Sequence, residues 1–161
     1  VFDFHWNWNE LSAKTPVKES SPHHRKAEMS RRRPIPTVEI KRAGDGVQYP
    51  QYRNEVTVHY EAYYVINKNK PSEQRIKYDS TRDRGVPFQF CIGIEEVIPG
   101  LNDGVSQLSK GEHAIITVAP DSGYGERGFP DLIPPYSYLQ FDLELLDIRE
   151  SGVQSIGEQS S

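Results

Sequence analysis

From Thr37 onward the chain alternates between apolar and polar positions in short bursts, the pattern of strands with one buried face. Thr37–Arg42 alternates and runs into the turn signal Gly44-Asp45-Gly46. Val56, Val58 and Tyr60 alternate against Glu55, Thr57 and His59, and Tyr63–Ile66 extends that run. Asn67–Ser72 reads as an exposed loop and Gln74–Tyr78 as a returning strand. Phe88, Phe90 and Ile92 form another alternating set. His113–Ala119 and Tyr138–Ile148 complete the strands, the last with Leu139, Phe141, Leu143 and Leu145 on one face. Only Val97, Ile98, Leu101, Val105 and Leu108 recur at helical spacing, predicting one amphipathic helix that Lys110-Gly111 stops. Five or six strands and one short helix specify an α+β domain over residues 37–149, a twisted antiparallel sheet wrapped on the helix.

Residues 1–36 show no sustained period. Turn formers, charges and prolines alternate there, as in Ser20-Ser21-Pro22-His23-His24, with too little apolar content to offset the entropy of ordering. A disordered N-terminal tail is expected, and a flexible C-terminal tail over 150–161. Phe2, Phe4, Trp6 and Trp8 fall at alternate positions, which suits a sticky strand or a partner anchor as well as an untidy terminus. Arg31-Arg32-Arg33 reads as a solvated basic linker, with a nuclear-import or phosphate-binding patch as the alternative.

At 161 residues, 35% hydrophobic and 26% charged, the chain has room for one soluble domain with its own core. The net charge of −4 is uneven: seven basic against four acidic residues leave 1–36 at +3, so the remainder carries −7. A mildly acidic body does not attract nucleic acid broadly; only the tail could. No apolar run approaches the roughly 18 residues of a membrane span. Val1–Glu10 lacks the charged and apolar regions of a secretory signal, so a cytoplasmic location is expected, with the nucleus as alternative. Cys91 is the only cysteine, in an apolar strand without a nearby His, and reads as a core thiol rather than a nucleophile. The five histidines lack zinc-ligand spacing, and there is no Gly-x-Ser-x-Gly elbow. Gly123-Tyr124-Gly125-Glu126-Arg127-Gly128 matches a dinucleotide fingerprint, yet Phe129-Pro130 and Pro134-Pro135 follow where a helix must open to meet a pyrophosphate. No metal or cofactor is expected.

Four strings remain. They are Val58-His59-Tyr60; Tyr78-Asp79-Ser80-Thr81-Arg82-Asp83-Arg84; Phe88-Gln89-Phe90 leading into Gly93-Ile94-Glu95-Glu96-Val97-Ile98-Pro99-Gly100; and Pro120–Gly125 with Ile133-Pro134-Pro135 and Phe141–Leu145. In order and spacing they resemble the FKBP family of prolyl isomerases, the receptors of tacrolimus and rapamycin, over essentially all of 37–148. The resemblance implies peptidyl-prolyl cis–trans isomerase activity on X–Pro bonds of peptides and unfolded proteins, with the drugs taken into the same pocket. It further implies a monomer and, with drug bound, a ternary partner such as calcineurin.

The resemblance also assigns residues. Tyr60, Phe88, Val97, Ile98, Leu101, Tyr124, Ile133 and Phe141 are expected to line the proline pocket. The Ile98 N–H and the Tyr124 hydroxyl are expected to donate to ligand carbonyls. Asp79 is expected as the pocket's carboxylate, with Arg84 and the Tyr60 hydroxyl beside it. Tyr78, Glu96, Phe129 and Leu132 complete the binding set. Catalysis is assigned to Asp79, Tyr124, Ile98, Tyr60 and Phe141.

Two departures stand out. The family's pocket floor is usually tryptophan, whereas this chain has Leu101, a loss of ring area worth on the order of 1–3 kcal/mol of ligand affinity. Phe129 stands where histidine is frequent. Leu101 leaves open a second reading, a protein-binding module of the same fold with weak or no catalysis.

Overall fold

The computed structural model of the protein describes residues 32–150. The expectations for 1–31 and for 151–161, including the Phe2–Trp8 aromatics and Arg31, lie outside the described residues.

The strands are β1 (Thr37–Arg42), β2 (Glu55–Ile66), β3 (Gln74–Ser80), β4 (Phe88–Cys91), β5 (His113–Val118) and β6 (Tyr138–Arg149); the helices are α1 (Thr81–Arg84) and α2 (Pro99–Ser106). All strand pairs are antiparallel, in the order β1-β5-β6-β2-β3, with β4 also on β2. Alternation in the sequence becomes alternation of burial. Val56, Val58, Tyr60 and Ala62 of β2 point into the core, as do Leu139, Phe141, Leu143 and Leu145 of β6. The register sets Ala62 opposite Phe141 and Ile116 opposite Phe141, so three strands share one apolar face. β1 is an edge strand and departs from a clean two-face pattern: only Val38 is half-buried, and Ile40 is exposed.

The helix that covers this face is shorter than the apolar recurrence suggested. Pro99 occupies its first turn, and Ile98 before it is extended at φ −55°, ψ 145°. A residue preceding proline avoids the α region because the ring would strike its backbone. Val97 and Ile98 therefore approach as extended chain, while Leu101 and Val105 are the helical residues turned to the sheet. Gly100 and Gly104 set how close α2 comes. A Cβ on Gly100 would sit 2.3 Å from Val118 Cγ1, and one on Gly104 2.5 Å from Ile116 Cγ2. With hydrogen there instead, the helix backbone lies directly on β5.

Two features were not expected from periodicity. α1 is a single turn, capped by the Ser80 hydroxyl accepting from Asp83 N–H at 3.1 Å and closed by Gly85 at φ 72°. Cys91 is half-buried rather than a core residue, because alternation along β4 sends Phe90 inward and its neighbour to the other face. The chain ahead of β1 also joins the body at two points: Pro36 is buried, and the Ser122 hydroxyl donates to the Pro34 carbonyl at 2.8 Å. No helix among the described residues is long and apolar enough to cross a membrane.

Candidate active site

A depression opens between α2 and the inner face of the sheet, with about 500 Å³ of space when its solvent-filled mouth is counted. Each wall comes from a different element. β2 supplies Tyr60 and Ala62, β3 supplies Tyr78 and Asp79, β4 supplies Phe88, and β6 supplies Phe141. The segment entering α2 brings Glu96, Val97 and Ile98, and α2 itself brings Leu101. Tyr124 closes the site from the loop after the 3-10 turn Pro120–Ser122.

The aromatic rings meet edge to face. Tyr60 lies 6.1 Å from Phe88 at 88° and 6.0 Å from Phe141 at 78° between ring planes, arrangements the ring quadrupole favours. The Tyr60 hydroxyl donates to Asp79 Oδ2 at 2.6 Å, Ser80 N–H donates to Oδ1 at 2.9 Å, and Arg84 pairs with that same oxygen. The Asp79 side chain is only 8% exposed, so these donors replace the water it gave up. Burial first, and then the Asp79 charge, push the Tyr60 phenol far above its ordinary value, with Arg84 opposing. The Tyr124 phenol is raised by burial and then by Asp79, and the Tyr78 phenol chiefly by burial. All three hydroxyls are protonated donors at neutral pH.

Ile98 supplies a main-chain donor. Its carbonyl accepts from Leu101 N–H at 3.1 Å and Asn102 N–H at 3.2 Å, whereas among the described residues none accepts from the Ile98 N–H. The lining contains no Ser, Cys, Lys or His, hence no nucleophile beside a base. Such a site is suited to a reaction without covalent steps. Rotation about an X–Pro bond faces a barrier of about 18–20 kcal/mol set by amide resonance. Twisting the amide reduces its polarity, so an apolar surrounding raises the planar form relative to the twisted one, and fixed donors bind the twisted geometry selectively. Each ~1.4 kcal/mol gained this way is worth about tenfold in rate.

Ten of the residues expected at the site line the cavity: Tyr60, Tyr78, Asp79, Phe88 and Glu96, then Val97, Ile98, Leu101, Tyr124 and Phe141. Four others stand behind or beside it. Arg84 reaches it through Asp79 and the Tyr60 hydroxyl. Phe129 packs edge-on against Tyr124 at 6.1 Å. Ile133 is buried and exchanges two 2.8 Å backbone hydrogen bonds with Phe129, and Leu132 packs on the core beside it. Ala62 lines the cavity and was not anticipated, although it lies two residues beyond Tyr60 on the same inward face. The Gly123–Gly128 motif opens no helix. Its glycines serve the loop instead: Gly128, at φ 60°, has its α-carbon so near Ile133 that a Cβ would sit 2.3 Å from that carbonyl oxygen.

Comparison with known proteins identifies relatives of the chain. The model of the family described as FKBP-type peptidyl-prolyl cis-trans isomerase matches residues 46–146, which contain every cavity residue. FK506-binding protein 1 of Yarrowia lipolytica is 47% identical over 112 residues, covering 70% of this chain and 96% of that protein. Peptidyl-prolyl cis-trans isomerase Fkbp12 of Drosophila melanogaster is 47% identical over 105 residues, 65% of this chain and 90% of the other. Among solved structures, the N-terminal domain of FKBP42 from Arabidopsis thaliana superposes with a TM-score of 0.63 at 26% identity, covering 72% of this chain and 87% of that one. With its fold and most of its length shared in this way, the chain belongs to the FKBP-type peptidyl-prolyl cis–trans isomerase family.

Proposed function

We propose that the aromatic-walled cavity is the prolyl site, where X–Pro bonds of peptides and unfolded chains are turned, and that tacrolimus and rapamycin compete for it. The observation that carries this reading is convergence. Tyr60, Asp79, Ile98, Leu101, Tyr124 and Phe141 come from separate stretches of chain yet wall one apolar hollow. In it the prolyl ring rests on Leu101 between Tyr60, Phe88 and Phe141, while Ile98 N–H and the Tyr124 hydroxyl donate to the flanking carbonyls. The Asp79 carboxylate, paired with Arg84, faces the amide as it loses its planar dipole. The drug ligand is supported by the names of relatives, several of which are FK506-binding proteins. On the same reading the protein assists folding as a monomer in the cytoplasm, and its drug-loaded rim is a docking face for a phosphatase such as calcineurin.

A protease-coupled isomerisation assay on Leu-Pro and Phe-Pro peptides tests this reading. Acceleration that saturating tacrolimus abolishes is the expected result. A folded chain that binds tacrolimus without accelerating either peptide overturns the enzymatic assignment and leaves a binding module.

A further inference from the structure

β2 changes partners partway along one edge. β4 pairs with Glu55–Val58 and β3 pairs with Glu61–Ile66, which leaves His59 and Tyr60 without a strand on that side. The gap is filled by one side chain. Thr81, fully buried at the start of α1, accepts from the Tyr60 N–H at 2.8 Å and donates to the Tyr60 carbonyl at 3.2 Å. His59 Nδ1 lies 2.9 Å from the same hydroxyl. A single Oγ therefore does what a neighbouring strand residue does elsewhere in the ladder, satisfying both backbone groups of one residue away from water.

The residue so held is the one whose phenol reaches Asp79, and Asp79 lies two positions before Thr81. Tyr60 is thus fastened to one short segment at both ends, its main chain to Thr81 and its hydroxyl to Asp79. That segment is itself braced by the Ser80 cap of α1 and by Arg84. We propose that Thr81 is a positioning residue for the isomerase site: its hydroxyl sets the distance and angle between the Tyr60 ring and the Asp79 carboxylate. Without it, two buried backbone groups seek other partners, and the Tyr60–Asp79 wall loosens although neither residue has changed. The proposal rests on the cavity being the prolyl site.

The test uses the full chain with Thr81→Val, which keeps the shape and loses the hydroxyl, and Thr81→Ser, which keeps the hydroxyl and loses a methyl. Thr81→Ser is expected within about twofold of the native kcat/KM, and Thr81→Val on the order of tenfold lower. The Tyr60 amide should be protected from hydrogen exchange in the native and Ser proteins and should exchange faster in the Val protein. A folded Thr81→Val protein with native kcat/KM overturns the proposal, as does a Thr81→Ser protein as impaired as Thr81→Val. Should Thr81→Val not fold, Thr81→Ser decides alone: native kcat/KM with a protected Tyr60 amide supports the role, and an unprotected amide or a tenfold loss defeats it. Titration of the native chain with a Phe-Pro peptide keeps the two readings apart. Absence of shifts at Tyr60, Leu101 and Phe141 removes the prolyl-site assignment, and with it this proposal. Native-like shifts and turnover in Thr81→Val remove the positioning role alone.

Discussion

Tyr60 donates its phenolic proton to Asp79 Oδ2 across 2.6 Å, while Arg84 holds the other oxygen of that carboxylate. The arrangement separates two tasks. Arg84 pairs with a nearly buried carboxylate, and Tyr60 ties that carboxylate to the aromatic wall. Tyr60→Phe should preserve the edge-to-face contacts with Phe88 and Phe141 and leave Oδ2 short of one donor. The expected result is a folded protein destabilised by about 1–3 kcal/mol, the range for a buried acceptor left unsatisfied, with kcat/KM lowered several-fold. Urea unfolding and the coupled assay check both. Unchanged stability and turnover would show that the phenol–carboxylate bond is idle.

The same phenols make stability depend on alkaline pH. Burial, foremost, raises Tyr60, Tyr78 and Tyr124 in the folded state, and the Asp79 charge adds to this in each case. An unfolded tyrosine ionises near its ordinary value of about 10. Above that pH the unfolded chain has released protons that the folded chain retains, so stability must fall as pH rises. The contribution is complete below the unfolded value and is lost progressively above it. Urea midpoints compared at about pH 9 and about pH 11 should show the drop, and tyrosinate absorbance should appear for these three residues only with unfolding. Ionisation of all tyrosines in the still-folded chain near their ordinary value would contradict the buried site.

How much of this was legible in the sequence depends on the range of the interactions involved. β2, β5 and β6 were readable because each has one buried and one wet face, a period of two that local order preserves. The helix was readable as an apolar recurrence, but Pro99 cut its first turn away. α1 has too few residues for any period; its Ser80 cap and its Gly85 stop emerge from the structure. The site is different in kind. Tyr60 and Phe141 meet because β2 lies beside β6 across some eighty intervening residues. No local pattern encodes that pairing, so the roles came from resemblance in four ordered strings. Ala62 escaped even that, since a methyl group carries no chemistry to notice.

Gly104 offers a test of how α2 is seated. Alanine is the better helix former by about 1 kcal/mol, so local propensity favours Gly104→Ala. Its Cβ, however, would stand 2.5 Å from Cγ2 of Ile116, a fully buried β-branched side chain with no room to turn away. Overpacking of this kind costs about 1–3 kcal/mol and should prevail. A lower urea midpoint is expected, with a shift of the neighbouring Leu101 methyl resonances as the helix lifts. A raised midpoint would mean that α2 does not press on β5.

Leu101 tests the floor of the site. It lines the cavity from α2 and is 5% exposed, presenting a branched aliphatic end where a flat ring could lie against the bound prolyl group. Leu101→Trp adds apolar contact area at a position already facing the hollow, so part of the new ring meets ligand rather than core. At about 25 cal/mol per Å², tens of Å² of further contact correspond to roughly 1 kcal/mol or more. The dissociation constant for tacrolimus should fall by about five- to tenfold, as read by calorimetry. The competing effect is overpacking against Val105 and the sheet, which lowers the unfolding midpoint without changing where ligand sits. The two are separable because one appears in binding and the other in stability. A dissociation constant equal to that of the native chain, in a protein of unchanged stability, would show that the prolyl ring does not rest on Leu101.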